Sequence, residues 1–459
     1  MRRCAASLAA KHEKGHTMGD FENMSMCELG RAIGREEIDP RELAADCLDR
    51  TRAHPLADRI YARLMEDRAM AEAEAAFARQ RAGMRRGLLD GVPVSWKDLF
   101  DTAGVATEAG TALLKDRVPE RDCEVLRRAS SAGLVALGKT HMSELAFSGL
   151  GLNPVTATPP CVNDAEAVSG GSSSGAAASV AFGLAPGAIG TDTGGSVRIP
   201  AAWNDLVGLK TTSGRLSLEG VVPLAAAFDT VGPIVKTVED AAETLAVLDG
   251  SAAPDLRGAT LEGRRFLVLE NVVFDDIRDA PRDAFDHAAE RFEAAGAEIV
   301  RAEIGALTEA MGLSGILFTA EAYAEWRDLI ESRPEMMYPR ILDRFRAGGV
   351  FGGADVLAGW KLLEHLRARY LEATAGYDAV ILPTAPILPP HAERLLQDAD
   401  YYVTENLLAL RNTRVANLMG LPALTLPTGV PSCGVLLQTP PMTEARLLRL
   451  GAAAEAALA

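Results

Sequence analysis

Two glycine-serine turns carry the residue types in this chain best suited to chemistry. The stretch Ser169–Pro200 reads SGGSSSGAAASVAFGLAPGAIGTDTGGSVRIP, with Gly170-Gly171-Ser172-Ser173-Ser174-Gly175 near one end and Thr193-Gly194-Gly195-Ser196 near the other. A serine hydroxyl becomes a nucleophile once a base takes its proton, and glycines let successive backbone N–H groups turn toward a developing negative charge. A flexible linker has the same composition. Against a linker stand the apolar run Ala176–Leu184 between the turns, which reads as a buried helix, and Asp192, Arg198 and Pro200, which a linker does not need. The stretch is therefore the candidate active site.

A base has to reach it. Val92-Pro93-Val94-Ser95-Trp96 reads as a strand ending in Lys97-Asp98. A lysine drawn inside at a strand end loses hydration, its pKa falls, and a neutral amine becomes available; a lysine that snorkels to water does none of this. Two further patterns compete. Gly133–Thr140 matches the phosphate-loop spacing GxxxxGK[ST], but its four intervening residues, Leu-Val-Ala-Leu, form a buried strand, whereas a phosphate loop follows one. Gly171–Gly175 matches GxSxG with Ser173 central. That elbow needs a preceding strand, and Asp164–Val168 is polar and Ala-rich. It also needs a histidine, and of the three after Ser173 (His287, His365 and His391) two sit in charged helical contexts.

The elements that would position these residues alternate between strand and helix. Two helices open the chain, from Glu22 to about residue 53 and from about Asp58 to Arg86. Later come a strand and turn at Val207–Arg215, a Pro/Gly-punctuated connection at Val221–Pro233, and a helix at Thr237–Leu248 with a threonine N-cap. Strands follow at Arg265–Glu270 and Glu298–Ala302, flanking a helix at Pro281–Ala295, and further strands at Asp378–Pro390 and Leu421–Pro427. This order predicts an α/β class with partly parallel strands. Residues from Leu307 to about Gly359 are helical and bear Phe318, Tyr323, Trp326, Tyr338 and Phe345, which read as core, in a segment where a substrate pocket could also be built.

Composition narrows the function classes. The chain has 459 residues, 48% of them hydrophobic, enough to bury a large core, and a net charge of −16. That charge argues against nucleic acid or an anionic membrane as the main partner. No apolar run approaches the roughly 20 residues of a membrane span. Six scattered cysteines lack metal-ligand spacing and read as reduced residues of a cytoplasmic protein. Residues 1–20 read as a disordered extension, and 21–459 as a single domain with its chemical core at about 88–235.

Taken together, GVPVSWKD ending at Asp98, GGSSSG at 170–175, GTDTGGSVRIPA at 190–201 and GLKTTSGR at 208–215 resemble the amidase signature family of serine hydrolases. The likeness extends through DTVGP and the NLMGLPAL segment. It implies a mixed, twisted central sheet covered by helices on both faces, and hydrolysis of a C–N amide bond of a small molecule without metal or cofactor. It also implies a Ser-cisSer-Lys triad: Ser196 as nucleophile, Ser172 as bridging serine after a cis peptide bond at Gly171-Ser172, and Lys97 as base. The backbone N–H groups of Thr193, Gly194, Gly195 and Ser196 would form the oxyanion hole. Asp192 and Arg198 would hold the turn as an ion pair, and Ser173 and Ser174 would support the loop.

Thr211, His141 and Asn204-Asp205 depart from the residues common in the family at those positions, which leaves the substrate open but not the reaction class. The main rival within the family is the glutaminase component of a tRNA-dependent amidotransferase; outside it stand a non-catalytic scaffold, a nucleotide-binding protein and a Ser-His-Asp esterase. A homodimer is the common state for soluble enzymes of this size.

Overall fold

The computed structural model describes residues 21–459. The expected N-terminal extension, 1–20, lies outside the described residues. The strands are β1 Tyr61–Leu64, β2 Pro93–Lys97, β3 Val135–Thr140, β4 Pro160–Cys161, β5 Asp164–Val168, β6 Gly187–Thr191, β7 Val207–Lys210, β8 Val231–Val235, β9 Arg265–Leu269, β10 Glu298–Ala302, β11 Ala379–Pro383, β12 Ala423–Pro427 and β13 Gly434–Gln438. Eleven of them form one sheet in the order β1-β3-β2-β6-β8-β7-β12-β13-β11-β9-β10, and β4 pairs with β5.

The sheet is mixed. β2 runs parallel to both β3 and β6, and β9 parallel to β10 and β11, while β6–β8, β7–β8, β7–β12, β12–β13, β11–β13 and β1–β3 are antiparallel. Helices flank it. Strands buried from end to end, such as β2, β3, β6, β8 and β11, lack the polar alternation of a half-exposed sheet because layers of chain cover them.

Local chemistry explains several boundaries. The helix Val238–Asp249 starts where Thr237 accepts a hydrogen bond from the Asp240 N–H, with Glu239 and Asp240 in its first turn, and stops at Gly250 in the left-handed conformation. The helix Ser174–Ala181 is built of small residues, buried from Ser174 to Val180, so it packs closely on β2, β3 and β6.

Two readings change. Asp164–Val168 is a strand, but it belongs to the separate β4–β5 pair and its first three residues are exposed. The connection at Val221–Pro233 runs into β8, where backbone pairing with β6 and β7 overrides Gly232 and Pro233. The helical region expected from Leu307 comprises Gly305–Gly312, Ser314–Ser332, Pro339–Arg346 and Gly353–Thr374. Cys27, Cys47, Cys123, Cys161 and Cys433 are free and buried.

Candidate active site

The site begins at the carboxyl ends of two neighbouring parallel strands, where open α/β sheets gather ligands. Pairing of Ser95 with Ala188 and Trp96 with Ile189 brings Lys97, the last residue of β2, beside the end of β6. Lys97 does not snorkel. It is fully buried, with Nζ 2.8 Å from Ser172 Oγ and 2.8 Å from Thr191 Oγ1. Burial pushes its pKa down to about 7, against the opposing pull of the Asp229 and Asp192 charges. Near neutral pH a substantial fraction is therefore the free amine. Sequence reasoning misses Thr191 because its hydroxyl has meaning only when β2 lies alongside.

Ser172 is held by backbone hydrogen bonds on both of its flanks. The Gly171-Ser172 peptide bond is cis. Gly171 donates to the Gly149 carbonyl at 2.8 Å, and the Ser172 carbonyl accepts from the Ser143 N–H at 3.1 Å. A Cβ on Gly171 would stand 2.6 Å from both the Gly151 nitrogen and Ser143 Oγ, so no larger residue fits. The next residue reaches across to the second turn, where the Ser173 N–H donates to the Ser196 carbonyl at 3.2 Å.

That second turn is built on Asp192. Its carboxylate takes a bidentate pair from Arg198 (Nε to Oδ2 and Nη2 to Oδ1, both 2.9 Å), the Gly195 N–H at 2.9 Å, the Val197 N–H at 3.2 Å and Asn417 Nδ2 at 2.8 Å. Both members of the ion pair are buried, and the Arg198 charge and its hydrogen bonds outweigh desolvation to hold the Asp192 carboxyl well below the usual carboxylate range. The distant C-terminal segment completes the frame: Arg198 Nη1 donates to the Thr413 carbonyl at 2.7 Å, and Thr413 Oγ1 to the Gly194 carbonyl at 2.7 Å. Asp229 fixes Thr193 by accepting a hydrogen bond from its hydroxyl. Thr413 carries no local signal in the sequence; Asp229 and Asn417 open the DTVGP and NLMGLPAL segments, but nothing in those segments shows that they brace this turn.

One expected donor is already engaged. The Gly195 N–H points to Asp192, so of the four backbone donors anticipated for an oxyanion, those of Thr193, Gly194 and Ser196 have no acceptor among the described residues. Ser196 Oγ makes no hydrogen bond with the described residues and lines a narrow pocket, part of it open to solvent. Ser148, Phe147, Leu224 and Phe318 form its walls, so Phe318, expected in the core, also faces the site.

The competing motifs disperse. Gly133 is the left-handed cap of a helix and Lys139 is buried in β3, donating to the Phe100 carbonyl and, at 2.9 Å, to Thr107 Oγ1; no phosphate cradle exists there. Ser173 donates to the Thr191 carbonyl at 3.2 Å, and Ser174 opens the following helix. His287, His365 and His391 are all exposed, and His391 contacts Asp164 on the β4–β5 pair. His141 is half-buried, its pKa pushed down to about 4 by desolvation, and it does not line the pocket. Among the described residues no three His, Cys, Asp or Glu side chains converge in a way that could hold a metal ion. No described helix is long and apolar enough to cross a membrane.

The chain is 34% identical over 446 residues to 2-amino-5-chloromuconic acid deaminase of Comamonas testosteroni, covering 95% of this chain and 96% of the relative. It is 31% identical over 479 residues to the A subunit of glutamyl-tRNA(Gln) amidotransferase from Anaeromyxobacter dehalogenans (strain 2CP-C), covering 94% and 96%. A crystal structure of an amidase superposes with a TM-score of 0.85 at 30% identity, covering 95% of this chain and all of the other. Residues 42–448 match the Amidase family, and with a relative at 34% identity over nearly its whole length the chain belongs to the amidase signature family.

Proposed function

We propose that this protein is a serine amidohydrolase that cleaves the C–N bond of a small-molecule amide, with residues 21–459 as one catalytic unit. The observation that carries the reading is the buried Lys97 Nζ, 2.8 Å from Ser172 Oγ, with a pKa pushed down to about 7. A neutral lysine accepts the Ser172 hydroxyl proton while Ser172 takes the proton of Ser196, and the freed Ser196 oxygen attacks the carbonyl carbon. The bond between the Ser173 N–H and the Ser196 carbonyl supports this relay by tying the two serine turns together. Charge on the carbonyl oxygen is met by the free N–H groups of Thr193, Gly194 and Ser196, each worth about 3 kcal/mol in such sites. The proton now on Lys97 returns through Ser172 to the amide nitrogen as the C–N bond breaks, releasing ammonia or an amine. Water then enters, gives its proton along the same path and hydrolyses the ester, restoring Ser196.

The similarity to the glutamyl-tRNA(Gln) amidotransferase chain supports a second reading, a glutaminase that hands ammonia to a partner. One experiment addresses both: intact mass after treatment with phenylmethylsulfonyl fluoride, alongside ammonia release from a panel of small amides with no other protein added, for the wild type, Ser196→Ala and Lys97→Ala. Labelling confined to Ser196 with release lost in both variants is expected. Labelling at Ser173, or release that survives Ser196→Ala, would overturn the assignment; labelling at Ser196 with release only when a partner protein is supplied would favour the glutaminase.

A further inference from the structure

The pocket beside Ser196 contains two arginines that its serine chemistry does not use. Arg344 projects from the helix Pro339–Arg346, with Nη1 donating to the Phe147 carbonyl at 3.1 Å and its guanidinium lying over the Phe147 ring, 4.4 Å from the centroid. Arg414 opens the helix Arg414–Met419, directly after the Thr413 that ties down Gly194. A Cβ placed on Gly194 would stand 3.8 Å from Arg414 Cγ, so the Arg414 stem runs alongside the nucleophile turn. Both arginines line the cavity that holds Ser196, Thr193 and Gly194.

Neither has a counter-ion among the described residues. Among the described residues Arg344 makes no ion pair, and Arg414 makes neither an ion pair nor a side-chain hydrogen bond. Elsewhere in the chain Arg198 meets Asp192, Arg50 meets Asp46 and Arg79 meets Asp90; Arg85, Arg367 and Arg411 are half-buried without an ion pair among the described residues, but none of them lines the Ser196 pocket. Burial lowers the pKa of Arg344 to about 10, and burial with the Arg344 charge lowers that of Arg414 to about 9, so both remain cationic at neutral pH while repelling each other. Two half-buried cations against Phe318, Leu224 and Leu410 are costly until an anion enters between them. Arginine is suited to a planar anion because its fork matches the two oxygens of a carboxylate.

We propose that the substrate is an amide that also bears a carboxylate, and that Arg344 and Arg414 bind that carboxylate in the Ser196 pocket. The proposal rests on the serine amidohydrolase reading above. It separates this site from one for neutral aliphatic or aryl amides, where an unpaired cation pair would oppose binding.

The test compares succinamate with pentanamide, an uncharged amide of similar length, in the wild type, Arg414→Gln and Arg344→Gln. It also measures succinate binding to Ser196→Ala by calorimetry. The wild type is expected to favour succinamate at least 100-fold in kcat/KM. Each arginine variant is expected to lower the succinamate-to-pentanamide ratio at least tenfold, chiefly through KM, and Ser196 should still be labelled by phenylmethylsulfonyl fluoride as a check on folding. Succinate should bind Ser196→Ala and bind more weakly when Arg414→Gln is added. With Ser196 labelled in the wild type, equal use of both amides by the wild type, or no succinate binding to Ser196→Ala, would overturn the carboxylate proposal and leave the amidohydrolase reading intact. Absence of Ser196 labelling in the wild type would overturn the reading beneath it.

Discussion

Thr191 Oγ1 lies 2.8 Å from Lys97 Nζ, the same distance as Ser172 Oγ, so the lysine is gripped from the end of one strand and from the first serine turn together. Thr191 touches no substrate in this arrangement; it is a positioning residue. Removing its hydroxyl while keeping its shape, Thr191→Val, deletes one acceptor for the charged amine. The expected outcome is a fall in kcat of about tenfold, the equivalent of one lost hydrogen bond of about 1.4 kcal/mol. The acid limb of the kcat/KM profile should also move to lower pH, because the protonated lysine loses support. Thr191→Ser should restore both. A merely structural loss would lower activity at every pH without moving the limb.

The pH dependence itself follows from Lys97. Its pKa is pushed down to about 7 from the usual 10.5 by burial, and in the proposed mechanism the neutral form is the base. As pH falls through about 7 the amine protonates, and kcat/KM should drop roughly tenfold per unit. The sign for stability is the same. Between about 7 and 10.5 the unfolded chain holds a proton on this lysine that the folded chain lacks, so its contribution to stability rises with pH across that window. Lys97→Met should abolish turnover and make the rise of stability with pH shallower. Lys210 and Lys139, also buried with pKa values pushed down to about 7 and about 8, keep part of the slope. Urea unfolding at pH 7, 8 and 9 measures it.

The Asp192–Arg198 pair shapes the turn that carries Ser196 without facing the pocket. Both side chains are fully buried, and Asp192 also holds the Gly195 and Val197 N–H groups. Asp192→Ala strands the Arg198 charge and frees two backbone donors. A loss of about 3–5 kcal/mol in unfolding free energy is expected, together with loss of Ser196 labelling. Adding Arg198→Met to Asp192→Ala should cost less than the sum of the two single changes, since the stranded charge is then gone. Additive losses in denaturant titrations would show that the two residues act independently.

Much of this protein was legible in the residues themselves. The two turns, the buried small-residue helix between them and the strand ending at Lys97 are local: glycine, serine and apolar periodicity state them within a few positions. Their ordered combination with GLKTTSGR pointed to the family. What the line of residues could not express is whatever depends on neighbours brought from far away. Whether Lys97 snorkels or loses hydration depends on how β2, β6 and the first turn close around it. That the Gly195 N–H belongs to Asp192 and not to an oxyanion depends on the curl of a six-residue loop. Thr413, and Asn417 at the head of the NLMGLPAL segment, lie more than 200 positions beyond the turn, and no spacing reveals that they lock it from the C-terminal segment. The sequence alone determined which groups are available and which local elements they sit on, because both follow from side-chain type and short-range spacing. Only the tertiary structure decided the protonation of Lys97, the free donors and the unpaired arginines, because desolvation and charge pairing are properties of the packed interior.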